Sequence, residues 1–223
     1  MKFDKKKNIL FIDFNGVISF NLFWVTIKNP KHALYKYFSK IENFIFRDNK
    51  DVAIRWMSGK LTTEEVHDML SKALRIRSKD AQTIQKLFIE DCKNIDISDK
   101  ILSKLSKLKK LYRVVLVTDN MDTFHRFTVP NNPQLMTVFD EIHDSYNRGK
   151  FKKTNDGELF LEICEKYGIP VKSCILIDDS KNNCAYFSAL GGRAYTPKSE
   201  MEVLNILKEI ESDGIKRPLH QGR

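Results

Sequence analysis

Short apolar runs alternate with longer amphipathic stretches over most of the chain, which is the pattern of strands and helices in an α/β protein. The apolar runs that end in polar or turn residues predict five strands: Asn8 to Asp13, Tyr112 to Thr118, Glu141 to Ser145, Cys174 to Asp178 and Arg193 to Tyr195. Because helical patterns separate these runs, the sequence predicts a parallel Rossmann-like sheet wound with helices on both faces.

The helical patterns are clearest in the second half of the chain. A helix predicted from Ser98 to Lys110 has one apolar stripe, with its lysines on the other face. The stripe consists of Ile101, Leu102, Leu105 and Leu108. Another helix is predicted from Asp156 to Tyr167, and Gly168 directly after it is a typical helix stop.

The first two predicted strands are separated by about 100 residues, which far exceeds the length of a single crossover. This stretch contains several helical patterns and no convincing strand, so it predicts an inserted all-helical cap. We expect an α/β core domain formed by residues 1–18 and 97–212, a helical cap subdomain over residues 19–96, and a loose tail over residues 213–223.

Polar residues that are candidates for catalysis or ligand binding lie at the ends of three of the apolar runs. Asp13 ends the first run, Thr118 ends the second, and the pair Asp178-Asp179 ends the fourth. A strand interior does not tolerate an unpaired charge, so these side chains belong at the strand ends, where ligands bind in parallel sheets. The adjacent carboxylates Asp178 and Asp179 repel each other, and a hard divalent cation relieves that repulsion.

The order of these segments, with Lys152-Lys153 between the second and fourth runs, resembles the haloacid dehalogenase superfamily, whose members are mostly magnesium-dependent phosphohydrolases. By that resemblance Asp13 is the nucleophile, Thr118 is the phosphate-binding hydroxyl, and Lys153, in preference to Lys152, is the motif lysine. The resemblance implies a phosphate- or substrate-binding group of Thr118, Asp119, Asn120, Lys152 and Lys153. It also implies Mg²⁺ as cofactor, held by Asp13, the backbone carbonyl of Asn15, Asp178 and Asp179.

One position departs from the phosphatases of that superfamily, which carry a second Asp two residues after the nucleophile. Here the residue is Asn15, and an amide cannot exchange a proton near neutral pH. General acid–base catalysis is worth about 100-fold to 10,000-fold, so we expect slow hydrolysis of ordinary phosphomonoesters. His125 is the best substitute base in the sequence, although a lone histidine there is more often a surface or packing residue.

Three functional readings follow from Asn15. The first is a phosphohydrolase that acts on a small phosphorylated metabolite with a good leaving group. The second is a dehalogenase- or phosphonatase-like hydrolase, which the acid pair Asp178-Asp179 disfavours, because dehalogenases of this superfamily generally lack the metal site. The third is a regulatory protein that binds phosphate or a partner with weakened turnover. The first reading is favoured.

Composition narrows the setting of the protein. The formal net charge of +9 favours anionic ligands, including nucleic acid. The lysines, however, are scattered over many helices. A solvated basic surface is therefore the default interpretation, and nucleic-acid binding is a minor hypothesis. The four cysteines form no Cys-x-x-Cys pair, which indicates reduced thiols in a cytoplasm. The apolar run before Asp13 is too short for a signal peptide or a membrane span. The sequence carries no signal for an oligomeric state.

Overall fold

A computed structural model describes residues 7–21 and 23–216 and contains one five-stranded parallel sheet. The strands are β1 (Asn8–Ile12), β2 (Tyr112–Thr118), β3 (Glu141–Asp144), β4 (Ile175–Ile177) and β5 (Arg193–Tyr195). Their spatial order is β3-β2-β1-β4-β5, so the first strand of the chain lies in the centre of the sheet. The predicted parallel α/β fold is confirmed.

Helices occupy most of the remaining described chain. Before β2 they are α1 (Val25–Lys28), α2 (Tyr35–Asn43), α3 (Lys50–Met57), α4 (Thr63–Ala73), α5 (Ser78–Lys93) and α6 (Asp99–Leu108), and a π-helical turn over Phe44–Asp48 follows α2. After β2 they are α7 (Val129–Asn131), α8 (Gln134–Val138), α9 (Ser145–Arg148), α10 (Glu158–Tyr167), α11 (Lys181–Ala189) and α12 (Glu200–Lys216), and a second π-helical turn over Phe124–Thr128 precedes α7.

The two faces of the sheet are buried by different helices. Leu10 and Ile12 of β1 belong to a core that α6, α8 and α12 complete, whereas Ile9 and Phe11 pack on the other face against α10 and α11. This alternation follows from the two-residue period of a strand, which sends successive side chains to opposite faces. Burial on both faces explains why β2 is an unbroken run of buried residues.

Helices α1 to α5, here called the helical segment, lie between β1 and the core helix α6 and have an apolar core of their own. Trp24, Trp56 and Phe88 are buried in this core. Among the described residues between β1 and β2 there is no strand, which agrees with the predicted all-helical insertion. The predicted boundaries at residues 19 and 96 remain predictions.

The ends of several elements differ from the expected positions. Asp13, Ser145 and Asp178 lie just outside the strands in which they were predicted. The helix predicted from Asp156 begins at Glu158, after a short 3-10 turn over Thr154–Asp156. The helix predicted from Ser98 begins at Asp99, because the Ser98 hydroxyl caps it by accepting a hydrogen bond from the backbone N–H of Ile101.

The predicted loose tail over residues 213–223 is wrong in its first part. Residues 213–216 continue α12, and Arg193 forms a salt bridge with Asp213 at 3.0 Å. Residues 217–223 lie outside the described residues. The four cysteines are buried and free. None of the helices in the described chain has the length and apolar character needed to cross a membrane.

Candidate active site

The predicted site residues converge at the carboxyl edge of the three central strands. Asp13 directly follows β1, and Asp178 directly follows β4. The two strands pair through Ile12 and Ile177, and the backbone N–H of Asp13 donates to the carbonyl of Ile177 at 2.9 Å. Thr118 is the last residue of β2, on the other side of β1. Residues separated by up to 165 positions are thus brought to one edge because the strands that carry them are neighbours.

A buried lysine links the two aspartates. The Nζ of Lys152 lies 2.9 Å from Oδ2 of Asp13 and 2.5 Å from Oδ2 of Asp178, and its side chain is almost completely buried. Lys153 is exposed. Lys152, and not Lys153, is thus the lysine that contacts Asp13 and Asp178, while the predicted role of Lys153 as the motif lysine remains a prediction. The path of the loop backbone, which the sequence pattern does not reveal, decides which of two adjacent lysines points inward.

The Asp119 carboxylate contributes to that loop path. Its Oδ1 accepts a hydrogen bond from the backbone N–H of Lys152 at 2.9 Å. Burial raises the pKa of Asp119, against the lowering influence of the Lys152 ammonium. In this structure the Asp119 carboxylate is bound to the lysine loop, and its predicted part in phosphate or substrate binding remains a prediction.

The Asp178 carboxylate is completely buried and has a full set of donors. It accepts hydrogen bonds from the backbone N–H of Ser180 at 2.9 Å and from the side-chain amide of Asn183 at 3.2 Å, in addition to Lys152. Sequence reasoning missed Ser180 and Asn183. The sequence does contain a signal for these two residues, which follow the acid pair closely. Ser is a typical N-cap residue and Ser180 caps α11, and Asn183 lies in the first turn of that helix.

Burial and charge perturb the ionisation of this cluster. Desolvation raises the pKa of Asp13 to about 7, against the lowering effect of the Lys152 ammonium, while the nearby Asp178 carboxylate raises it further. Burial alone would lower the pKa of Lys152, but the carboxylates of Asp13, Asp178 and Asp119 outweigh it and hold that pKa above its ordinary value. The site therefore contains more carboxylates than cations, an arrangement that a divalent cation would stabilise.

Three carboxylates are close enough to share a metal ion. Asp13, Asp178 and Asp179 each offer an oxygen, and these atoms all lie within 4.8 Å of one another. Burial and the charge of Asp178 raise the pKa of Asp179. Gly16 makes the close approach of Asp179 sterically feasible, because it has a positive φ of 74° and a Cβ at this position would lie 2.5 Å from Oδ2 of Asp179.

The Thr118 hydroxyl is buried, and its Oγ1 has no hydrogen-bond partner among residues 7–21 and 23–216. A buried hydroxyl without a partner is uncommon in folded proteins and is a reason to look for a ligand. Asn120 forms hydrogen bonds with neighbouring protein groups. Its side-chain oxygen accepts from the backbone N–H of Met121 at 3.0 Å, and its backbone N–H donates to the Ser145 hydroxyl at 2.9 Å.

Asn15 lies in the turn that follows Asp13. The turn is closed by the backbone N–H of Ser19, which donates to the carbonyl of Phe14 at 3.0 Å, and Asn15 itself forms a backbone bridge with Ser19. His125, the predicted substitute base, lies with its Nδ1 4.0 Å from Oδ1 of Asp144, and its ring packs beside Tyr146. No contact between His125 and Asp13 is found among the described residues.

One buried carboxylate near the site had no counterpart in the sequence prediction. Asp122 lies four residues after Thr118, is completely buried, and accepts hydrogen bonds from Trp56 and Thr63 of the helical segment. These partners are about 60 residues away in sequence. The local sequence around Asp122 gives no signal of this role.

No protein-family model matches the chain, and no curated protein matches it in sequence. Solved structures do match it in fold. A haloacid dehalogenase (HAD) family enzyme of Bacteroides thetaiotaomicron, solved as a magnesium complex, is 25% identical with a TM-score of 0.64, over 86% of this chain and 94% of that one. The same enzyme has also been solved with magnesium and inorganic phosphate, at 24% identity and a TM-score of 0.60.

Two further structures extend the comparison. A predicted HAD-like family hydrolase of Porphyromonas gingivalis is 18% identical with a TM-score of 0.63, over 92% of this chain and 98% of that one. A dehalogenase is 12% identical with a TM-score of 0.63, over 92% of this chain and 96% of that one. The similarity extends over the helical segment as well as the sheet, since it covers most of both chains.

Proposed function

We propose that this chain, which has the haloacid dehalogenase-like fold that its motifs indicated, is a magnesium-dependent phosphohydrolase acting on a small phosphorylated metabolite. The observation that carries the proposal is the buried cluster in which Lys152 contacts both Asp13 and Asp178, with Asp179 beside them. A nucleophilic carboxylate, a fixed ammonium group and a pair of metal-binding acids are the parts that phosphoryl transfer requires.

The residues present fit a magnesium ion. Carboxylate oxygens are the ligands that Mg²⁺ prefers, and Asp13, Asp178 and Asp179 supply three within 4.8 Å. The backbone carbonyl of Asn15 is the further ligand in this proposal. Magnesium, when bound, neutralises charge on the phosphate and on the acids, so that two anions can approach each other. The similar Bacteroides enzyme, which has been solved with magnesium and inorganic phosphate, supports this assignment.

Asp13 would react in two steps. First, a carboxylate oxygen of Asp13 forms a bond to phosphorus, the bond from phosphorus to the leaving oxygen breaks, and the leaving group departs with the electron pair. Second, a water oxygen attacks the same phosphorus, the bond to Asp13 breaks, and inorganic phosphate is released while the water proton passes to solvent or phosphate. The division replaces one difficult displacement by two easier ones.

Lys152 and Thr118 would hold the phosphoryl oxygens. The ammonium of Lys152 is already fixed by two carboxylates and does not need to reorganise during the reaction. The unpartnered hydroxyl of Thr118 would gain an acceptor when a phosphate oxygen is present. Both groups would donate hydrogen bonds to the equatorial phosphoryl oxygens, which carry the negative charge of the transferring group.

Asn15 determines which substrates are turned over well. Without an acid at this position the leaving oxygen departs unprotonated, so leaving groups of low pKa are favoured. Acyl phosphates and activated aryl phosphates meet that condition, whereas alkyl phosphomonoesters do not. Substrate choice within this class would be made by the helical segment, as a cap that covers the site.

A regulatory function is the second candidate, and Asn15 is the observation that favours it. A protein that retains the acids, Lys152 and Thr118 but lacks a proton donor could bind a phosphorylated ligand with little turnover. The dehalogenase-like reading has less support, because the acids Asp178 and Asp179 lie together with Asp13 in a group that could hold a metal, although a dehalogenase shares the fold.

The proposal is tested with acetyl phosphate and p-nitrophenyl phosphate. We expect release of inorganic phosphate that requires Mg²⁺, stops on addition of EDTA, and is lost in Asp13→Asn. Intact-mass measurement during turnover should show a phosphoryl adduct on the wild-type chain and none on Asp13→Asn. The variant is nearly isosteric, so circular dichroism should confirm that it remains folded.

The two candidate functions give different results in this experiment. Metal-dependent binding of inorganic phosphate without turnover of either substrate would favour the regulatory function. Turnover that persists in Asp13→Asn would exclude Asp13 as the nucleophile.

A further inference from the structure

The residues that join α3 to α4 lie over the carboxyl ends of β2 and β3. Here Trp56–Glu64, which comprise this connection together with the last two residues of α3 and the first two of α4, are called the linker. The linker carbonyl of Met57 accepts a hydrogen bond from the Ser145 hydroxyl at 2.6 Å, and Ser145 directly follows β3. The same hydroxyl accepts from the backbone N–H of Asn120, two residues after the end of β2. This edge of the sheet is the edge that carries Asp13 and Thr118.

The linker approaches the core closely at Gly59. This residue has a φ of 77°, and a Cβ at its position would lie only 2.6 Å from the backbone carbonyl of Tyr146. Backbone therefore packs against backbone, with no space for a side chain between them. Such a close contact requires polar interactions that hold the linker against the core.

Asp122 supplies that fixation from the core side. Its carboxylate is completely buried and accepts from the Trp56 indole N–H at 2.9 Å. It also accepts from the Thr63 backbone N–H at 3.2 Å and from the Thr63 hydroxyl at 2.5 Å. One carboxylate thus binds both ends of the linker.

Arg126 completes the arrangement. Its guanidinium contacts Asp122 at 2.5 Å and forms two hydrogen bonds with the Glu64 carboxylate, at 3.0 Å and 2.9 Å. Arg126 lies one helical turn after Asp122 on the core side, so it compensates the buried charge and holds the start of α4 at the same time. A buried carboxylate is stable only with such compensation.

We infer that Asp122 is a positioning residue, which holds the linker against the candidate active site. Three donors of the linker converge on it, and each loses a buried charged acceptor when the carboxylate is removed. The docking itself is independent of the reaction; only its effect on turnover rests on the proposed phosphohydrolase function. Asp122 holds the linker in place, and the position of the linker in turn affects substrate binding.

An asparagine cannot replace this carboxylate. An amide has one acceptor oxygen and an NH₂ group that only donates. In Asp122→Asn the NH₂ group would face donors of Thr63 or Arg126, so at least one of these contacts becomes repulsive. The loss is specific to linker docking, because Asp122 makes its long-range contacts with the linker.

Hydrogen exchange measured by mass spectrometry on the full chain without substrate tests the inference. In Asp122→Asn we expect the backbone amides of the linker to exchange faster by a factor on the order of ten, as loss of a hydrogen bond to a charged group implies. Amides of β1 and β2 should retain their wild-type rates. Equal acceleration along the whole chain, or unchanged linker exchange in the folded variant, would overturn the inference.

The chain offers a matched control in Asp91. Its carboxylate also accepts from the backbone N–H and the hydroxyl of one threonine, Thr26, but this pair lies within the helical segment and outside the linker. Asp91→Asn should therefore leave linker exchange unchanged. If the two variants accelerate linker exchange equally, the effect is general loosening and the inference fails.

Two milder variants keep the test decisive if Asp122→Asn does not fold. Trp56→Phe removes the indole N–H, and Thr63→Val removes the hydroxyl, while each leaves the carboxylate in place. Each should accelerate linker exchange relative to wild type, and the double variant, which loses two donors to the same carboxylate, should accelerate it more than either single variant. Wild-type exchange rates in the double variant would contradict the inference.

Kinetics separate positioning from simple loss of folded enzyme. With p-nitrophenyl phosphate, an undocked linker should raise KM, whereas a smaller folded fraction would lower kcat alone. A decrease in kcat at unchanged KM would count against positioning. Absence of turnover in the wild-type chain would overturn the proposed function and leave the exchange result as the test of the inference.

Discussion

At the residue scale, Asn15 has the largest consequence for chemistry. It lies two residues after Asp13 in a turn closed by backbone hydrogen bonds, so its side chain can change without loss of the backbone interactions that shape the turn. The turn also places Gly16 against Asp179. A carboxylate at position 15 would thus join an already formed site.

We expect Asn15→Asp to raise turnover of phosphomonoesters by about 100-fold or more, since it restores a group that can donate and accept a proton. Initial rates of p-nitrophenyl phosphate and of an alkyl phosphate measure the effect, and the gain should be greater for the alkyl ester. Asn15→Ala is the control and should give no gain. Equal rates for Asn15→Asp and wild type would contradict a missing acid as the cause of low activity.

Lys152 and Lys153 form a natural pair of test and control. Lys152 is buried between two carboxylates, whereas its neighbour is exposed. Removal of one partner from a buried ion pair leaves an uncompensated charge and costs about 3–5 kcal/mol. An exposed substitution usually changes the free energy of unfolding by no more than about 0.5 kcal/mol.

Lys152→Met should therefore lower the free energy of unfolding of the metal-free protein by several kcal/mol and abolish turnover, as urea denaturation and phosphate release would show. Lys153→Met should leave both nearly unchanged. The opposite ranking of the two variants would show that Lys153 is the functional lysine after all.

At the element scale, the helical segment is held together by an aromatic cluster. Trp24 stacks on Phe88 with ring centroids 4.6 Å apart, and the rings of Trp56 and His67 lie beside them. The His67 Nδ1 lies 2.8 Å from the carbonyl of Thr63, the first residue of its own helix α4. A titratable ring is thus part of an apolar core.

This placement makes the stability of the protein dependent on pH. Burial lowers the pKa of His67 below its ordinary value of 6.5, against the raising effects of the Thr63 carbonyl and the Glu64 and Asp122 carboxylates. The unfolded chain therefore binds a proton at a higher pH than the folded chain does. The contribution of His67 to the free energy of unfolding should therefore fall as the pH decreases below about 6.5.

Urea denaturation between pH 7.5 and 5 measures this effect, as the difference between wild type and His67→Leu. The wild type should lose stability relative to the variant on acidification, because leucine cannot accept a proton. A pH dependence that is identical in wild type and His67→Leu would refute the assignment.

At the scale of the whole molecule, the strand order explains how the site is assembled. Because β1 lies between β2 and β4, Asp13 has Thr118 on one side and Asp178 on the other. The chain carries a net charge of +9, yet its candidate site is rich in carboxylates. The overall charge would attract phosphorylated ligands, while the local carboxylates favour a cation at the point of reaction.

The helical segment and the sheet contribute differently to this assembly. The sheet places the reacting groups, and the helical segment contacts the same edge through Met57, Trp56 and Thr63. The proposed catalysis therefore depends on the apolar cores on both faces of the sheet, on the core of the helical segment, and on the polar contacts between the segment and the sheet.

The sequence by itself determined the elements and the edge at which function resides. The unbroken apolar run of β2 and the leucine stripe of α6 follow from local residue order, because strand and helix periods impose fixed spacings. Polar residues after Ile12 and Ile177 predicted the position of the site, because a charge is excluded from a strand that is buried on both faces.

Only the tertiary structure decided which side chains meet. Lys152 and Lys153 are chemically identical and adjacent, so the loop path, fixed in part by the hydrogen bond from the Lys152 backbone to Asp119, selects one of them. Asp122 gained its partners Trp56 and Thr63 from a distant part of the chain. Periodicity describes neighbours along one element, whereas these contacts depend on how separate elements pack, and that packing is a property of the whole fold.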